Sequence, residues 1–309
     1  MAVGRNVARL VVGVVLALAL GGSPVPAAGA AEANGIIVYE TDFGLKDGAV
    51  SAMRGVARSV SRDLILEDLT HEIPAFNIWE GAYRLNQTAA YWPTGTVFVA
   101  VVDPGVGTDR RNIVLETSSG HYFVAPDNGL LTLVAESLGV AEVREIDLAA
   151  NRLPGSETSY TFFGRDLFSH TAARLAAGRV AFVDIGPRLD GDIVRIAYQR
   201  AVVENGKVVG NIPVLDIQYG NVWTNIDRKT FEALGLTKGE KAKVRIKDSV
   251  EEVWVGEVPY VDTFGDVPEG ETLLYINSLE NVSLAINYGD FASTFGIASG
   301  PDWVIEISR

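Results

Sequence analysis

The sequence predicts an α/β N-terminal domain with a mostly parallel sheet, plus a C-terminal antiparallel β-barrel-like domain. Short apolar strands alternate with helical patterns up to about residue 190, which is the order typical of a parallel sheet. From Ala201 onward, short alternating strands separated by glycine-rich turns replace that order. Such a pattern is typical of a small antiparallel sandwich or barrel. We therefore place the domains at residues 35–195 and 200–309, with a boundary near 192–202.

The N-terminal strands and helices follow each other closely. Strands are predicted at residues 36–39, 64–66, 96–102, 113–116 and 122–125, and helices at 47–60, 78–92, 130–138 and 166–177. The strand at 96–102 is continuously apolar, as in a sheet buried on both faces. The last two strands are predicted to form an antiparallel pair. Asp47 is predicted to cap the first helix, and Pro93 to end the second.

The C-terminal part is predicted to be mostly strand. Strands are predicted at residues 208–218, 243–246, 253–258, 273–276 and 303–307, with one helix near 230–234. Their alternating apolar and polar residues indicate strands with one buried face.

Composition narrows the class of protein. The chain has 309 residues, of which 48% are hydrophobic, and a formal net charge of -13. It can therefore bury a core, and its acidity argues against a nucleic-acid partner, which requires a basic face. The sequence contains no cysteine, so disulfide bonds are excluded.

Residues 1–30 have the pattern of a signal peptide. Arg5 and Arg9 precede an eleven-residue apolar stretch, Leu10 to Leu20, and the segment ends in Ala28-Gly29-Ala30. A positive region, a short apolar run and a small-x-small site are typical of export with cleavage near Ala30. The apolar run is shorter than the roughly 20 residues of a transmembrane helix. We expect a periplasmic or extracellular protein without a stable membrane span; an uncleaved anchor is the alternative.

Acidic turns follow several predicted strands. Asp42 lies in Thr-Asp-Phe-Gly and Asp103 in Val-Val-Asp-Pro-Gly, each at a strand end, while Asp127 and Asp166 lie in two further turns. In open α/β sheets, ligands bind outside the carboxyl ends of the strands. Asp42 and Asp103 are therefore expected to face one crevice. Ordinary turn chemistry is the alternative interpretation, because Asp, Pro and Gly favour turns.

Several common active-site motifs are absent from the sequence. It contains no Walker loop, no Gly-x-Gly-x-x-Gly and no Gly-x-Ser-x-Gly. The three histidines, His71, His121 and His170, are not in zinc-ligand spacing. We interpret them as structural and predict no metal site.

Six ordered motifs resemble one known family. They are TDFGLKDGAVSAMRGV, DLTHEIPAFNIWEGAYRL, VFVAVVDPGVGTDRR, FVAPDNGLLT, TFFGRDLF and DIQYGNVWTNI. Their order and spacing over residues 36–290 resemble the S-adenosylmethionine (SAM) hydroxide adenosyltransferases, the family that also contains fluorinases and chlorinases. The resemblance implies a homotrimer, with SAM between the N-terminal domain of one subunit and the C-terminal domain of the next.

The resemblance also implies roles for individual residues. In the first domain, Asp42 resembles a ribose-binding carboxylate, and Phe76 resembles an aromatic residue of the ribose pocket. Asp47 resembles an acidic residue near the methionine end. A substrate-binding segment of the family corresponds to Phe162, Phe163 and Gly164. In the second domain, Asp216 and Ser278 resemble contacts to the methionine end, Tyr219 an adenine-stacking aromatic, and Asn221 a reader of the adenine edge. For Tyr219 and Asn221, a hairpin turn packed for structural reasons is the alternative.

The implied reaction is hydrolysis of SAM to adenosine and methionine by attack of water or hydroxide at the 5′ carbon. The sulfonium already activates that carbon, so no cofactor is expected; the enzyme must position and desolvate the nucleophile. Asp103 and Arg110 resemble the catalytic pair of hydroxide-using members, whereas halogenases have Tyr in place of Asp103. One departure is Phe163, where hydrolytic members usually have His.

Three other functions remain open from the sequence. One is a chlorinase-like SAM-dependent halogenase, another a catalytically weak exported nucleoside-binding protein, and the third a metal-dependent hydrolase that uses the aspartates.

Overall fold

A six-stranded sheet forms the centre of the N-terminal half. The computed structural model describes Met1 and residues 32–309, so the predicted signal peptide lies, apart from Met1, outside the described residues. The strands are β1 (Ile36–Thr41), β2 (Ile65–Thr70), β3 (Val97–Val101), β4 (Asn112–Thr117), β5 (Tyr122–Pro126) and β6 (Val140–Glu145). Their order in the sheet is β2-β1-β3-β5-β4-β6.

The pairing confirms a mostly parallel sheet. Strands β2, β1, β3 and β5 are parallel neighbours, and β4 is antiparallel to both β5 and β6. The predicted antiparallel pair of β4 and β5 is therefore confirmed. Strand β6 was not predicted, because its three charged residues leave it without an apolar run.

Helices cover both faces of this sheet. They are α1 (Ala49–Val60), α2 (Ile78–Ala89), α3 (Thr132–Ser137), α4 (Leu148–Asn151), and a π-helical turn, Gly164–Ser169, that continues into α5 (His170–Ala176). The prediction that Asp47 caps α1 is wrong. Gly48 holds the cap position without a side-chain bond, and Asp47 instead accepts from the N–H of Ala49 at 2.8 Å, which closes a turn just before the helix.

The C-terminal half contains two antiparallel sheets. The strands are β7 (Val202–Glu204), β8 (Lys207–Asn211), β9 (Val214–Asp216), β10 (Asn221–Asp227), β11 (Lys241–Lys247), β12 (Glu252–Pro259), β13 (Thr272–Ile276), β14 (Asn281–Ile286) and β15 (Val304–Ser308), with helices α6 (Arg228–Glu232) and α7 (Phe291–Phe295). Their orders are β13-β14-β10-β9 and β12-β11-β15-β8-β7. The antiparallel prediction is confirmed, but residues 201–309 form two open sheets rather than a closed barrel.

The single strand predicted at 208–218 is instead two strands in different sheets. Pro213 lies between β8 and β9 and has no N–H for a ladder. Its carbonyl accepts a hydrogen bond from Trp79 Nε1 at 2.9 Å, and the carbonyl of Leu215 accepts one from Arg84 at 3.2 Å. Helix α2 of the N-terminal half thus fixes the start of β9.

The two halves belong to one compact unit, which contains residues 32–309. Residues 192–201 between them include no helix or strand, and the predicted domain limits remain a prediction. No helix in the described part of the chain is long and apolar enough to cross a membrane.

Candidate functional site

Two of the predicted acidic residues leave the sheet at the same edge. Strands β1 and β3 are parallel neighbours, with Thr41 opposite Val101. Asp42 directly follows β1, and Asp103 follows β3 by two residues. The carboxyl ends of adjacent parallel strands are where open α/β sheets bind ligands.

Asp103 and Arg110 form a nearly buried ion pair. Arg110 Nε donates to Asp103 Oδ1 at 2.7 Å, and Arg110 Nη2 contacts the second carboxylate oxygen. Their side chains are 4% and 10% exposed. Such a side-on pair is directional and stronger than a neutral hydrogen bond. The turn between Asp103 and Arg110 therefore brings these two residues, seven positions apart, into contact.

Neighbouring backbone and amide groups hold this pair in place. Arg110 Nη1 also contacts Asn112 Oδ1, and Asn128 Nδ2 donates to the carbonyl of Val102 at 2.9 Å. Gly107, in the turn that carries Asp103, has φ +76°, and a Cβ there would lie 2.6 Å from the carbonyl of Tyr160. Only glycine fits both constraints. Sequence reasoning did not single out Asn112 or Asn128.

Asp42 and Phe76 are in direct contact. Asp42 Oδ2 accepts from the backbone N–H of Phe76 at 2.9 Å. Phe76 has φ +68° and its side chain is 70% exposed, which is a strained conformation of the kind found at binding sites. The structure thus unites two residues predicted to lie at the ribose. Asp47, by contrast, is exposed and bonds only to the local backbone.

Phe162, Phe163 and Gly164 lie at the start of the π-helical turn. Phe162 packs edge-on against Phe43, with ring centroids 5.8 Å apart. A Cβ on Gly164 would lie 3.2 and 3.3 Å from the Phe43 ring, so the glycine permits close packing. Phe43 directly follows Asp42, and the segment therefore borders the Asp42 turn. Single-turn π-bulges occur often at functional sites.

Phe163 is buried between two guanidinium groups. Its side chain is 5% exposed, and the Cζ atoms of Arg110 and Arg152 lie 5.6 and 5.1 Å from its ring centroid. Aromatic faces attract cations at such distances. The ring therefore lies beside the Asp103–Arg110 pair, where hydrolytic members of the resembled family usually have His. Arg152 was not predicted from the sequence.

A cavity of about 870 Å³ opens in the C-terminal half. It is lined by all four of the residues predicted there, Asp216, Tyr219, Asn221 and Ser278. Unpredicted lining residues include Trp223, Phe264, Tyr275, Asn277, Tyr288 and Asp290. The aromatic and carboxylate groups suit a flat, cationic or neutral ligand. Asp290 lies in an Asn-Tyr-Gly-Asp turn, a signal of the same kind as the acidic turns.

Within the cavity, Asn221 Nδ2 donates to Asp216 Oδ2 at 3.2 Å. Tyr219 is 65% exposed at the turn between β9 and β10, which leaves its ring free to stack on a ligand. Burial raises the pKa of Tyr275 to about 12, and the nearby Asp216 adds to the shift. Tyr275 is therefore a neutral hydroxyl at physiological pH.

The predicted site residues fall into two groups. One surrounds the ends of β1 and β3, and the other lines the C-terminal cavity. None of the N-terminal group is among the residues that line this cavity. Each group presents exposed aromatic side chains, Phe76 in the first and Tyr219 and Tyr288 in the second.

The two remaining acidic turns have structural partners. Asp127 pairs with Arg111 and accepts from the N–H of Val194 at 2.8 Å. Asp166 is fully buried and accepts from Ser159 at 2.6 Å and from Arg165. Within the described residues, no group of three or more His, Asp or Glu side chains is arranged to hold a metal ion.

Family models match both halves of the chain. The model of the SAM hydroxide adenosyltransferase N-terminal domain matches residues 37–186, and that of the C-terminal domain matches residues 210–304. Together with the α/β half, the antiparallel half and the strand-end aspartates, these matches define the class of protein. The chain belongs to the SAM hydroxide adenosyltransferase family.

Its relatives include both hydrolases and halogenases by name. An (R)-S-adenosyl-L-methionine hydrolase from Salinispora tropica is 35% identical over 265 residues, covering 85% of this chain and 95% of that protein. A fluorinase from Actinopolyspora mzabensis is 30% identical over 290 residues, covering 86% and 95%. An uncharacterized conserved protein from Thermotoga maritima has a similar solved structure, with a TM-score of 0.78 and 36% identity over 88% of this chain and all of that one.

Proposed function

We propose that this protein hydrolyses SAM to adenosine and methionine. The observation that carries the proposal is the nearly buried Asp103–Arg110 pair at the end of β3. A fixed carboxylate at a ligand-binding sheet edge suits a base that orients water, and it repels halide ions. Relatives named as SAM hydrolases support the same reaction.

In the proposed mechanism, Asp103 accepts a proton from water. Each of its oxygens is bonded to Arg110, but a carboxylate has about four lone-pair sites, so about two remain and one of them can accept from water. The water oxygen bonds to the 5′ carbon as the carbon–sulfur bond breaks. Methionine leaves with the electron pair as a neutral thioether and needs no general acid. Arg110 holds the carboxylate in place through its two contacts.

A second candidate is a nucleoside-binding protein with little turnover. The buried ring of Phe163, beside the Asp103–Arg110 pair, favours this function, because it offers water no hydrogen bond. The same ring also excludes bulk water, which assists attack in a desolvated site. The two candidates differ in a measurable way, since only the enzyme forms adenosine.

We further propose that the protein is an exported homotrimer with sites between subunits. The separation of the predicted residues into two groups supports this arrangement, because the residues implied at the ribose and those implied at adenine do not line one cavity within the chain. The sequence pattern of residues 1–30 supports export.

The decisive experiment is product analysis with the mature protein. The sample is incubated with each sulfonium epimer of SAM, with and without chloride, and the nucleoside is identified by mass spectrometry. Both epimers are needed because the relatives are named for the (R) form. Adenosine formed independently of chloride supports hydrolysis. A 5′-chlorinated nucleoside identifies a halogenase, and bound but unchanged SAM identifies a binding protein.

A further inference from the structure

His71 is a buried histidine at the edge of the Asp42 turn. Its side chain is 2% exposed, and Nδ1 lies 2.8 Å from Thr41 Oγ1. Thr41 is the last residue of β1 and is itself fully buried. Because neither side chain reaches the surface, neither is placed to touch a ligand.

The hydrogen-bond pattern leaves the proton of the Thr41 hydroxyl available for this contact. Thr41 Oγ1 accepts from the backbone N–H of Phe43 at 3.2 Å, so its own proton is free to be donated to His71 Nδ1. A neutral imidazole that accepts at Nδ1 carries its proton on Nε2. That nitrogen lies 3.1 Å from Asp68 Oδ1, close but not aligned for a hydrogen bond.

Asp68 supplies a negative charge next to this imidazole. It is also paired with Arg54. Burial alone would raise the pKa of Asp68. The contacts with Arg54 and His71 lower this pKa by more than burial raises it, so the net shift is downward. Asp68 is therefore a carboxylate that favours the Nε2–H tautomer of His71.

The segment that carries His71 also holds the Asp42 turn through its backbone. The N–H of Gly44 donates to the carbonyl of His71 at 2.7 Å, and the N–H of Phe76 donates to Asp42 Oδ2 at 2.9 Å. The turn at residues 41–44 is thus fixed on both sides of Asp42 by residues 71–76.

We propose that His71 is a positioning residue for Asp42: its imidazole fixes the Thr41 hydroxyl, which holds the backbone turn from which the Asp42 carboxylate projects. Positioning groups of this kind act by locking the groups that touch the ligand. What Asp42 recognises, a ribose diol, rests on the proposed function. The positioning itself does not.

Hydrogen exchange tests the positioning without a ligand. Thr41→Val and His71→Phe should each speed amide exchange in peptides covering residues 41–45 by about ten-fold. Thr41→Val removes the hydroxyl that accepts from the Phe43 N–H, and His71→Phe removes the imidazole that holds this hydroxyl in place. Thr41→Ser keeps the hydroxyl and should restore slow exchange. His121→Phe is the matched control: His121 is 4% exposed, with hydrogen bonds at 2.9 Å to Ser119 and Trp92, and lies outside the turn.

Ligand affinity tests the consequence. Calorimetry compares adenosine with 2′,3′-dideoxyadenosine; the wild-type preference for the diol is expected to be roughly ten-fold or more. Thr41→Val and His71→Phe should remove most of it while affinity for adenine is unchanged, and Thr41→Ser and His121→Phe should keep it. Unchanged exchange in residues 41–45 of both test variants overturns the positioning role, as does an unchanged diol preference. A wild-type protein without any diol preference refutes the proposed ribose site instead, and exchange then decides the role of His71.

Discussion

The guanidinium of Arg110 meets the carboxylate of Asp103 side-on, with Nε donating to Oδ1 at 2.7 Å and Nη2 contacting Oδ2. Both side chains are nearly buried. This geometry fixes the carboxylate in one orientation before any substrate binds. Asp103 is therefore the residue at which the proposed base is tested most directly.

Asp103→Asn should lower the turnover of SAM by about a hundred-fold or more, because an amide cannot accept the proton of water. The affinity for SAM should remain close to that of the wild type, since the side chain keeps its shape. Single-turnover kinetics and calorimetry measure the two quantities. The change leaves the nearly buried Arg110 without a carboxylate, so the unfolding midpoint is recorded on the same samples.

Asp127→Asn is a matched control for that loss of stability. Asp127 has a side chain that is 2% exposed and pairs with Arg111 at a neighbouring turn. This variant should lower the unfolding midpoint while turnover stays near that of the wild type. If Asp103→Asn turns over at the wild-type rate, Asp103 is not the base.

Subunit complementation should reveal sites shared between chains. A chain with Asp103→Asn and a chain with Tyr219→Ala should each be nearly inactive alone, because each lacks one group of site residues. Co-expressed, they should regain part of the wild-type activity, since some interfaces then combine two intact groups. Light scattering on the same samples should give the mass of a trimer. An active monomer, or no recovery in mixed trimers, contradicts shared sites.

Much of the fold was predictable because its strands are apolar and its turns acidic. The sequence of β3 is apolar throughout and buried throughout, so it was found within one residue at each end. Strand β6 was missed because an edge strand with charged residues has no such pattern. The strand predicted at 208–218 was wrong because Pro213 interrupts the ladder and the chain changes sheet there.

Local sequence patterns predict the candidate site only where its residues are close in sequence; distant members such as Phe76 and Ser278 were predicted only through the family resemblance. Asp103 and Arg110 are seven residues apart, and their pairing follows from one turn. The C-terminal cavity draws on segments as distant as Asp216 and Asp290, and their meeting depends on the order of β13, β14, β10 and β9. Arg152 reaches Phe163 through packing that no local pattern records.

Glu40 should make folding stability fall as pH rises. Its side chain is buried on β1, and neither carboxylate oxygen has a hydrogen-bond partner in the described structure. Burial raises the pKa of Glu40 well above 4.5, although Arg84 opposes the shift. As pH rises, the folded state thus retains a proton on Glu40 that the unfolded state loses. The contribution of Glu40 to the free energy of unfolding is therefore complete below pH 4.5, and it declines between pH 4.5 and the pKa of Glu40 in the folded state.

Glu40→Gln should remove this decline, because the amide cannot ionise. Relative to this variant, the wild type should lose up to about 1.4 kcal/mol per pH unit within that window. Urea unfolding at several pH values measures the slope. Glu67→Gln, at an exposed position on β2, should keep the wild-type slope. Parallel pH profiles for wild type and Glu40→Gln would show that Glu40 ionises equally in the folded and the unfolded protein.

Phe163→His should raise hydrolytic turnover. Phe163 directly precedes the π-helical turn and lies beside the Asp103–Arg110 pair, and Gly164, the next residue, packs on Phe43. The two guanidinium groups near the ring, those of Arg110 and Arg152, should favour a neutral imidazole at this position. A neutral imidazole accepts a hydrogen bond from the attacking water, whereas phenylalanine does not. Turnover should therefore increase by roughly ten-fold or more, with little change in affinity for SAM.

The cost of this substitution is measurable on the same protein. A buried imidazole without a full set of partners lowers stability by about 1–3 kcal/mol, so thermal unfolding accompanies the measurement of adenosine release. Phe163→Leu serves as the control, because it removes the ring without adding a nitrogen; it should lose stability and gain no turnover. A correctly assembled Phe163→His protein that releases adenosine no faster than the wild type would show that water activation at this position does not limit the reaction.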